Sequence, residues 1–216
     1  MKIPKRTATR KAKETMARFE IITPVKGSVL SLETKRLTLS VFKPSACGAV
    51  TDYLVRNRAF HKKYSQKHKE RYFTVAEQKL FLKSDLHMYN RNEMVPFWIT
   101  KTGEPERIIG RISFYSIIGG SMNTCYVGYH IDEKCQGQGY MREALEAGCA
   151  FMFRYYKLHR IEADIIPTNE KSRNCVINCG FEKMGYNIRF MEIDGKYQDH
   201  EMYVLLNPEV ENVISL

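Results

Sequence analysis

Cys135-Gln136-Gly137-Gln138-Gly139-Tyr140-Met141-Arg142-Glu143-Ala144-Leu145 joins a β-like run to a long helical pattern. The run before it is Thr124–Ile131, with Tyr126 and Tyr129 in it. The pattern after it spans about Tyr140 to Tyr156 and sets Ala144, Leu145, Gly148, Phe151 and Met152 on one stripe. Two glycines at such a junction let the backbone turn tightly and let a ligand approach without a Cβ in the way. The first N–H groups of a helix have no intrahelical acceptor, so the junction is also suited to a phosphate or pyrophosphate. Taken alone, the same glycines are equally compatible with a plain tight turn. Two phosphate motifs are excluded. A Walker loop ends in Gly-Lys-Ser/Thr, whereas this segment reads Gly139-Tyr140-Met141. A dinucleotide fingerprint needs three spaced glycines after an early strand of a parallel βαβ unit.

Downstream, Arg160–Ile166 reads as a buried strand, and Pro167-Thr168-Asn169 leads into a short helix that stops at Gly180. Strands over about 181–193 and 200–205 follow, split by an Asp194-Gly195 hairpin turn. Upstream, Arg36–Phe42 alternates with period two, and residues 45–59 carry Ala46, Ala49, Tyr53, Leu54 and Ala59 at helical spacing. Thr74-x-x-Glu77 predicts a capping box opening a helix to about residue 91, with Val75, Leu82, Leu86 and Tyr89 on its apolar stripe. Val95–Thr100 and Ile108–Ile118 flank a turn at Gly103-Glu104-Pro105. The order β, α, α, β, β, β, α, β, α, β, β predicts an α+β layer with a largely antiparallel sheet and one βαβ crossover.

Pro24, Gly27 and Ser28 interrupt any regular pattern. The expected organisation is a basic arm and linker over 1–34, one domain over 35–206 and a tail over 207–216. The chain has 216 residues, of which 44% are hydrophobic and 27% charged, which excludes disordered, fibrous and membrane-spanning classes. No apolar run approaches the roughly 18 residues that a span needs. Net charge is +10, and residues 1–19 hold seven basic residues against one acid, so the arm carries +6 of it. Such an arm has the signature of a polyanion contact, with RNA or the ribosome, and equally of a solvated tail. Six cysteines without C-x-x-C or zinc spacing predict small buried thiols and no metal site. With no apolar stretch after the basic N-terminus to mark a secretory signal, they point to a reducing compartment, the cytoplasm.

A second constellation consists of His159-Arg160-Ile161-Glu162-Ala163, Asn169-Glu170-Lys171-Ser172 and Cys179-Gly180-Phe181-Glu182. Together with the glycine junction it resembles the GNAT superfamily of acyl-CoA-dependent N-acetyltransferases. That superfamily's phosphate loop reads Q/R-x-x-G-x-G/A. Gln136, Gly139 and Met141 fall on it, with Met141 departing from the final small residue. Asn169-x-x-Ser172 and Gly180-Phe181 match its N-x-x-S and G-F elements. Cys125-Tyr126-Val127-Gly128-Tyr129, the glycine loop, His159-Arg160-Ile161 and Asp194-Gly195-Lys196-Tyr197-Gln198-Asp199-His200 narrow the resemblance to the Rim branch, nearest its RimJ type. That branch acetylates the N-termini of ribosomal proteins. The resemblance covers about residues 35–206.

The resemblance implies a GNAT-like mixed, mostly antiparallel sheet flanked by helices, with Thr124–Ile131 and Arg160–Ile166 as splayed central parallel strands. It implies acetyl-CoA as cosubstrate. Backbone groups near Tyr129 and Ile131 would meet the acetyl carbonyl and pantetheine. N–H groups of Gln136, Gly137, Gln138, Gly139, Tyr140 and Met141 would take the pyrophosphate. Asn169 would bind pantetheine amides or cap its helix. Many members place a Tyr seven residues after this Asn, where Val176 stands here, so Ser172 becomes the candidate for protonating the thiolate beside its place in the cofactor site. Tyr126 is the other candidate proton source.

Tyr126, Glu162 and Asp164 are the polar residues on the two strands, and period two puts Glu162 and Asp164 on the face of Arg160. They serve either as base or as simple partners of Arg160 and lysines. Some relatives carry a Glu where Met191 stands. An α-amine, with a reference pKa near 8, is partly neutral at physiological pH, and a lysine near 10.4 is hardly so. The lack of an obvious base therefore favours an α-amine. The acceptor expected is a protein N-terminus. A small amine (aminoglycoside, polyamine or amino acid) and a noncatalytic ribosome- or RNA-binding factor on the same fold are the alternatives. His61, His68 and His87 read as surface or lid residues, the Phe151–Tyr156 aromatics as core, and His200 as either a substrate-side or a sheet-filling residue.

Overall fold

A computed structural model of the chain describes residues 19–210. Among the described residues, nine strands form one sheet in the order β1-β2-β3-β4-β5-β6-β7-β9-β8. They are β1 (Glu20–Ile22), β2 (Ser28–Glu33), β3 (Leu37–Phe42), β4 (Met94–Lys101), β5 (Glu104–Ile118), β6 (Thr124–Ile131), β7 (Arg160–Ile165), β8 (Glu182–Ile193) and β9 (Lys196–Leu206). Every neighbouring pair is antiparallel except β6 and β7, which are parallel and joined by a helical crossover. The α-helices are α1 (Cys47–His61), α2 (Val75–Asn90), α3 (Tyr140–Tyr155) and α4 (Glu170–Asn178). No helix among the described residues is long and apolar enough to cross a membrane.

From residue 36 onward the elements fall where the sequence pattern puts them. The unexpected elements lie upstream, where Pro24, Gly27 and Ser28 predict a linker. Residues 20–33 instead supply two strands of the sheet. Ser31 and Leu32 are fully buried, and the Ser31 hydroxyl meets that of Ser40 on β3 at 2.9 Å. The sheet therefore begins before residue 35. Gly27 takes the left-handed φ of 81° that the β1–β2 turn requires. Phe19 is also buried, edge-on to Phe151 of α3. The rest of the basic arm lies outside the described residues.

The two sheet faces are covered by different helix pairs. On one, α3 and α4 close the main core, in which Ile112, Phe114, Cys125, Val127, Ile161 and Ala163 meet the α3 stripe. All five stripe positions are buried. Gly148 is required there: a Cβ would lie 2.7 Å from the Phe114 ring. On the other face, α1 and α2 enclose a smaller cluster around Val50, Tyr53, Leu54, Leu82 and Trp98. Here α2 departs from its apolar pattern. Val75 is exposed, and Gln78 and Asp85 share the buried side with Leu82. Gln78 donates to the Tyr72 carbonyl, and Asp85 pairs with Arg111 of β5 at 2.8 Å, so neither is left unsatisfied. Half of the capping box forms. Thr74 Oγ1 accepts from the Glu77 N–H, but the Glu77 carboxylate turns to Arg71.

Candidate active site

Strands β6 and β7 pair only over Thr124–Arg160, Cys125–Ile161 and Tyr126–Glu162. Beyond that point β6 stays with β5 and β7 with β9, and a gap opens between them. In an antiparallel ladder, hydrogen-bonded and non-bonded pairs alternate. The Asp132 N–H donates to the Ile109 carbonyl, which makes the even-numbered β6 residues the bonded ones toward β5. The main-chain groups of Val127, Tyr129 and Ile131 therefore point into the gap. Of these groups the Ile131 carbonyl is already taken, accepting from His61 Nε2 at 2.8 Å. Ile131 retains its N–H. The Tyr129 side chain props the gap from the α3/α4 face, donating its hydroxyl to the Ser172 carbonyl at 3.0 Å. Burial pushes that phenol well above its ordinary pKa.

The glycine turn sits at the end of the gap. Gly137 and Gly139 have φ of 72° and 78°, the left-handed conformation that suits glycine. Gly139 is the N-cap of α3, and the first helical bond runs from the Glu143 N–H to its carbonyl. The Gln136 N–H donates to the Glu133 carbonyl, while the N–H groups from Gly137 onward are left for an anion, at the positive end of a 16-residue helix. A Cβ on Gly137 would meet open space, and one on Gly139 only the Arg36 guanidinium. Arg36 fixes the turn from behind. It donates to the Gln138 carbonyl at 2.9 Å, pairs with Glu143 at 2.6 Å and covers the Tyr140 ring. The side chains of Gln136 and Gln138 face the protein, taking Lys171 and the Lys134 carbonyl as partners. Their contribution to a ligand is through the backbone. Met141 is buried in the main core, so its bulk leaves the turn clear.

Asn169 caps α4, its Oδ1 accepting from the Ser172 N–H at 3.3 Å. Capping is therefore its structural role, and its Nδ2 is left to donate. Ser172 lies half-buried in the first turn of α4, on the α3/α4 side. Tyr126 is on the opposite face, its ring 6.0 Å from that of Tyr115. The structure thus gathers Tyr129, Asn169, Ser172 and the glycine turn around one side of the gap and leaves Tyr126 on the other.

That other side is polar. Glu162 pairs with Arg160 at 2.8 Å on its own strand. Asp164 instead accepts from Asn187 Nδ2 of β8 at 2.9 Å. His200 is buried on the same face of β9, its Nδ1 against the Gln198 carbonyl. Further along, Tyr53 and His130 stack, with the hydroxyl 2.6 Å from Nδ1. His61 packs beside them, which corrects its reading as a surface or lid residue. His68 stacks on Tyr72. The β8–β9 hairpin reaches the loop after α1 through the Asp194 N–H and the Ser65 carbonyl. Sequence reasoning missed Tyr53, Asp85, Arg111, Tyr115, His130 and Asn187. The only signal available was the period-two alternation that puts Arg111, Ser113 and Tyr115 on one side of β5. All six cysteines are free, and no cluster among the described residues could hold a metal ion.

Residues 36–182 match the family model described as acetyltransferase (GNAT) domain. The chain is 32% identical over 178 residues to the [ribosomal protein uS5]-alanine N-acetyltransferase of Escherichia coli, covering 82% of this chain and 91% of that one. It is 33% identical over 155 residues to the probable N-acetyltransferase YjcK of Bacillus subtilis, covering 72% and 85%. Among solved structures, the ribosomal-protein-S5-alanine acetyltransferase of Vibrio fischeri superposes with a TM-score of 0.78 at 29% identity, covering 83% of this chain and 97% of that one. A family match over most of the domain, joined to the split β6–β7 pair and the glycine turn at the head of α3, makes this chain a member of the GNAT acetyltransferase family.

Proposed function

We propose that the protein transfers an acetyl group from acetyl-CoA to the N-terminal α-amine of a protein, with a ribosomal protein as acceptor. The observation that carries this reading is the gap itself, with unpaired main-chain groups along one edge and a free helix N-terminus at its end. The residues present fit the cosubstrate. Gly137 and Gly139 leave room for a pyrophosphate over the N–H groups from Gly137 to Met141. The gap edge at Val127, Tyr129 and Ile131, with Asn169 Nδ2, offers partners for the amides of an extended pantetheine arm. Acetyl-CoA supplies the activated acyl group. The protein supplies position, holding the thioester at the mouth of the gap and bringing the amine from the α1/α2 face. Ser172, whose hydroxyl has no protein partner among the described residues, donates a proton to the departing sulfur. Tyr126 lines the acceptor side.

The basic arm adds a contact with ribosomal RNA, and a ribosomal acceptor fits a cytoplasmic enzyme with free thiols. The uS5-alanine and S5-alanine acetyltransferases among the relatives support a small first residue, such as Ala, on the acceptor. The test is a pair of peptides, one with a free N-terminus and one blocked but carrying lysine. Neutral-amine fractions alone favour the α-amine by roughly two orders of magnitude at pH 7. Equal single-turnover rates on the two peptides refute the assignment.

A further inference from the structure

We propose that Asp164 receives the ammonium group of the acceptor and takes its proton, in a subsite walled by Tyr115 and Tyr126. The proposal rests on the acetyl-transfer reading above. Asp164 lies two residues past the last β6–β7 pair, roughly 7 Å along the strand at about 3.3 Å per residue, so it stands where the gap is open. Its side chain is on the α1/α2 face, opposite the pantetheine side, which is where an amine must enter to meet the thioester. It differs from its neighbour Glu162 in one respect. Glu162 is neutralised by Arg160, whereas Asp164 has no cationic partner among the described residues. Asn187 holds one oxygen and leaves the other free. A half-buried carboxylate without a cation is suited to an incoming ammonium.

The groups facing Asp164 are Glu162 on β7, Tyr126 on β6, Tyr115 on β5 and His200 on β9, with Asn187 on β8. Burial pushes the Asp164 carboxyl up, against the Asn187 hydrogen bond and His200, while Glu162 adds to the rise. Tyr115 is pushed up to about 12 by burial and the nearby Asp164, so it stays a neutral hydroxyl. In the step, an N–H bond of the ammonium breaks and an O–H bond forms on Asp164. The freed nitrogen pair forms the amide C–N bond, the acetyl C–S bond breaks, and the sulfur takes the Ser172 proton. Asp164 passes that proton to solvent and then takes the second N–H proton, which the nitrogen must lose to become a neutral amide. This proton also leaves to solvent, Ser172 regains one from it, and one proton is released in all.

The test measures kcat/KM from pH 6 to 9.5 on the free-N-terminus and lysine peptides, for wild type, Asp164→Asn and Asp164→Glu. Asp164→Asn preserves an acceptor for Asn187, so the melting temperature and acetyl-CoA affinity should hold. At pH 7 its kcat/KM should fall about 100-fold or more, and the deficit should shrink above pH 8, where solution supplies neutral amine. Asp164→Glu should recover part of the rate and the wild-type pH dependence. If Asn destabilises the fold, the Glu variant carries the test. Wild-type kcat/KM in Asp164→Asn, a deficit constant across pH, or loss of the pH dependence in Asp164→Glu overturns the proposal. A wild-type enzyme that acetylates only the lysine peptide instead refutes the α-amine reading, and Asp164 is then judged on that amine.

Discussion

The two faces of the β6–β7 gap are made of different material. On the α3/α4 side, Cys125, Val127, Ile161, Ala163 and Ile165 pack into a continuous apolar core, and a ligand is offered main-chain groups, a helix end and a few side chains at its rim. On the α1/α2 side, Tyr115, Tyr126, Glu162, Asp164 and His200 face the opening, and Tyr53, His130, Asp85 and Arg111 are buried behind it in pairs. An apolar core packed at near-crystalline density holds backbone donors rigidly, which suits a cosubstrate whose shape never varies. Partly buried titratable groups have shifted proton affinities, which suits selection of an amine and handling of its proton. By the reading proposed above, the first side takes the cosubstrate common to the family, and the second is where one acceptor would be told from another.

The largest effect that sharpens this contrast belongs to Ser172. One positioned proton donor is worth about 10²–10⁴-fold, so Ser172→Ala should slow the chemical step by that order while acetyl-CoA affinity holds. A single-turnover assay beside calorimetry reads both. An unchanged rate moves the proton source to water or to Tyr126, across the gap. Next is Gly139→Val, which places a β-branched residue at a φ of 78° and should weaken acetyl-CoA binding at least tenfold, about 1.4 kcal/mol. The amine KM should change little, and unchanged CoA affinity by calorimetry would remove the turn from the site.

A smaller effect tests the polar side alone. Burial lowers the pKa of His61, against the Ile131 carbonyl and nearby acids, and lowers that of His130, with His61 and Arg111 adding to it. Their folded values lie below the unfolded 6.5, so their stabilising contribution is present above pH 6.5 and is lost as pH falls through the folded values. Asp85 and Asp164, raised by burial, work in the opposite direction. The melting temperature should fall by a few degrees from pH 7 to 5, and less steeply in His130→Gln. An identical slope in the variant assigns the acid sensitivity elsewhere. The smallest effect on catalysis concerns the arm. Removing residues 1–18 should leave peptide turnover unchanged and weaken RNA binding with a reduced salt slope. Removing Phe19 as well should lower the melting temperature, since that ring packs on Phe151.

The sequence by itself determined what contiguous residues encode. The glycine turn needs two residues at positive φ just before a helical stripe, and Gly137, Gly139 and the α3 pattern state that locally. Asn169, three residues before the N–H it caps, is equally local, as are the alternating strands from residue 36 on. Tertiary structure decided what depends on distant partners. Residues 20–33 have weak strand propensity around Pro24 and Gly27, and become strands because β3 presents an edge to pair with. His61 is drawn inward by a carbonyl 70 residues away. Glu162 and Asp164 are chemically alike and share a face, so period two could not separate them. The ladder does: one lies where the strands still pair and finds Arg160, and the other lies past the split beside Asn187. The acceptor side is therefore the part least legible in sequence. Its residues come from five strands and two helices, and only the sheet register and helix packing bring them to one place.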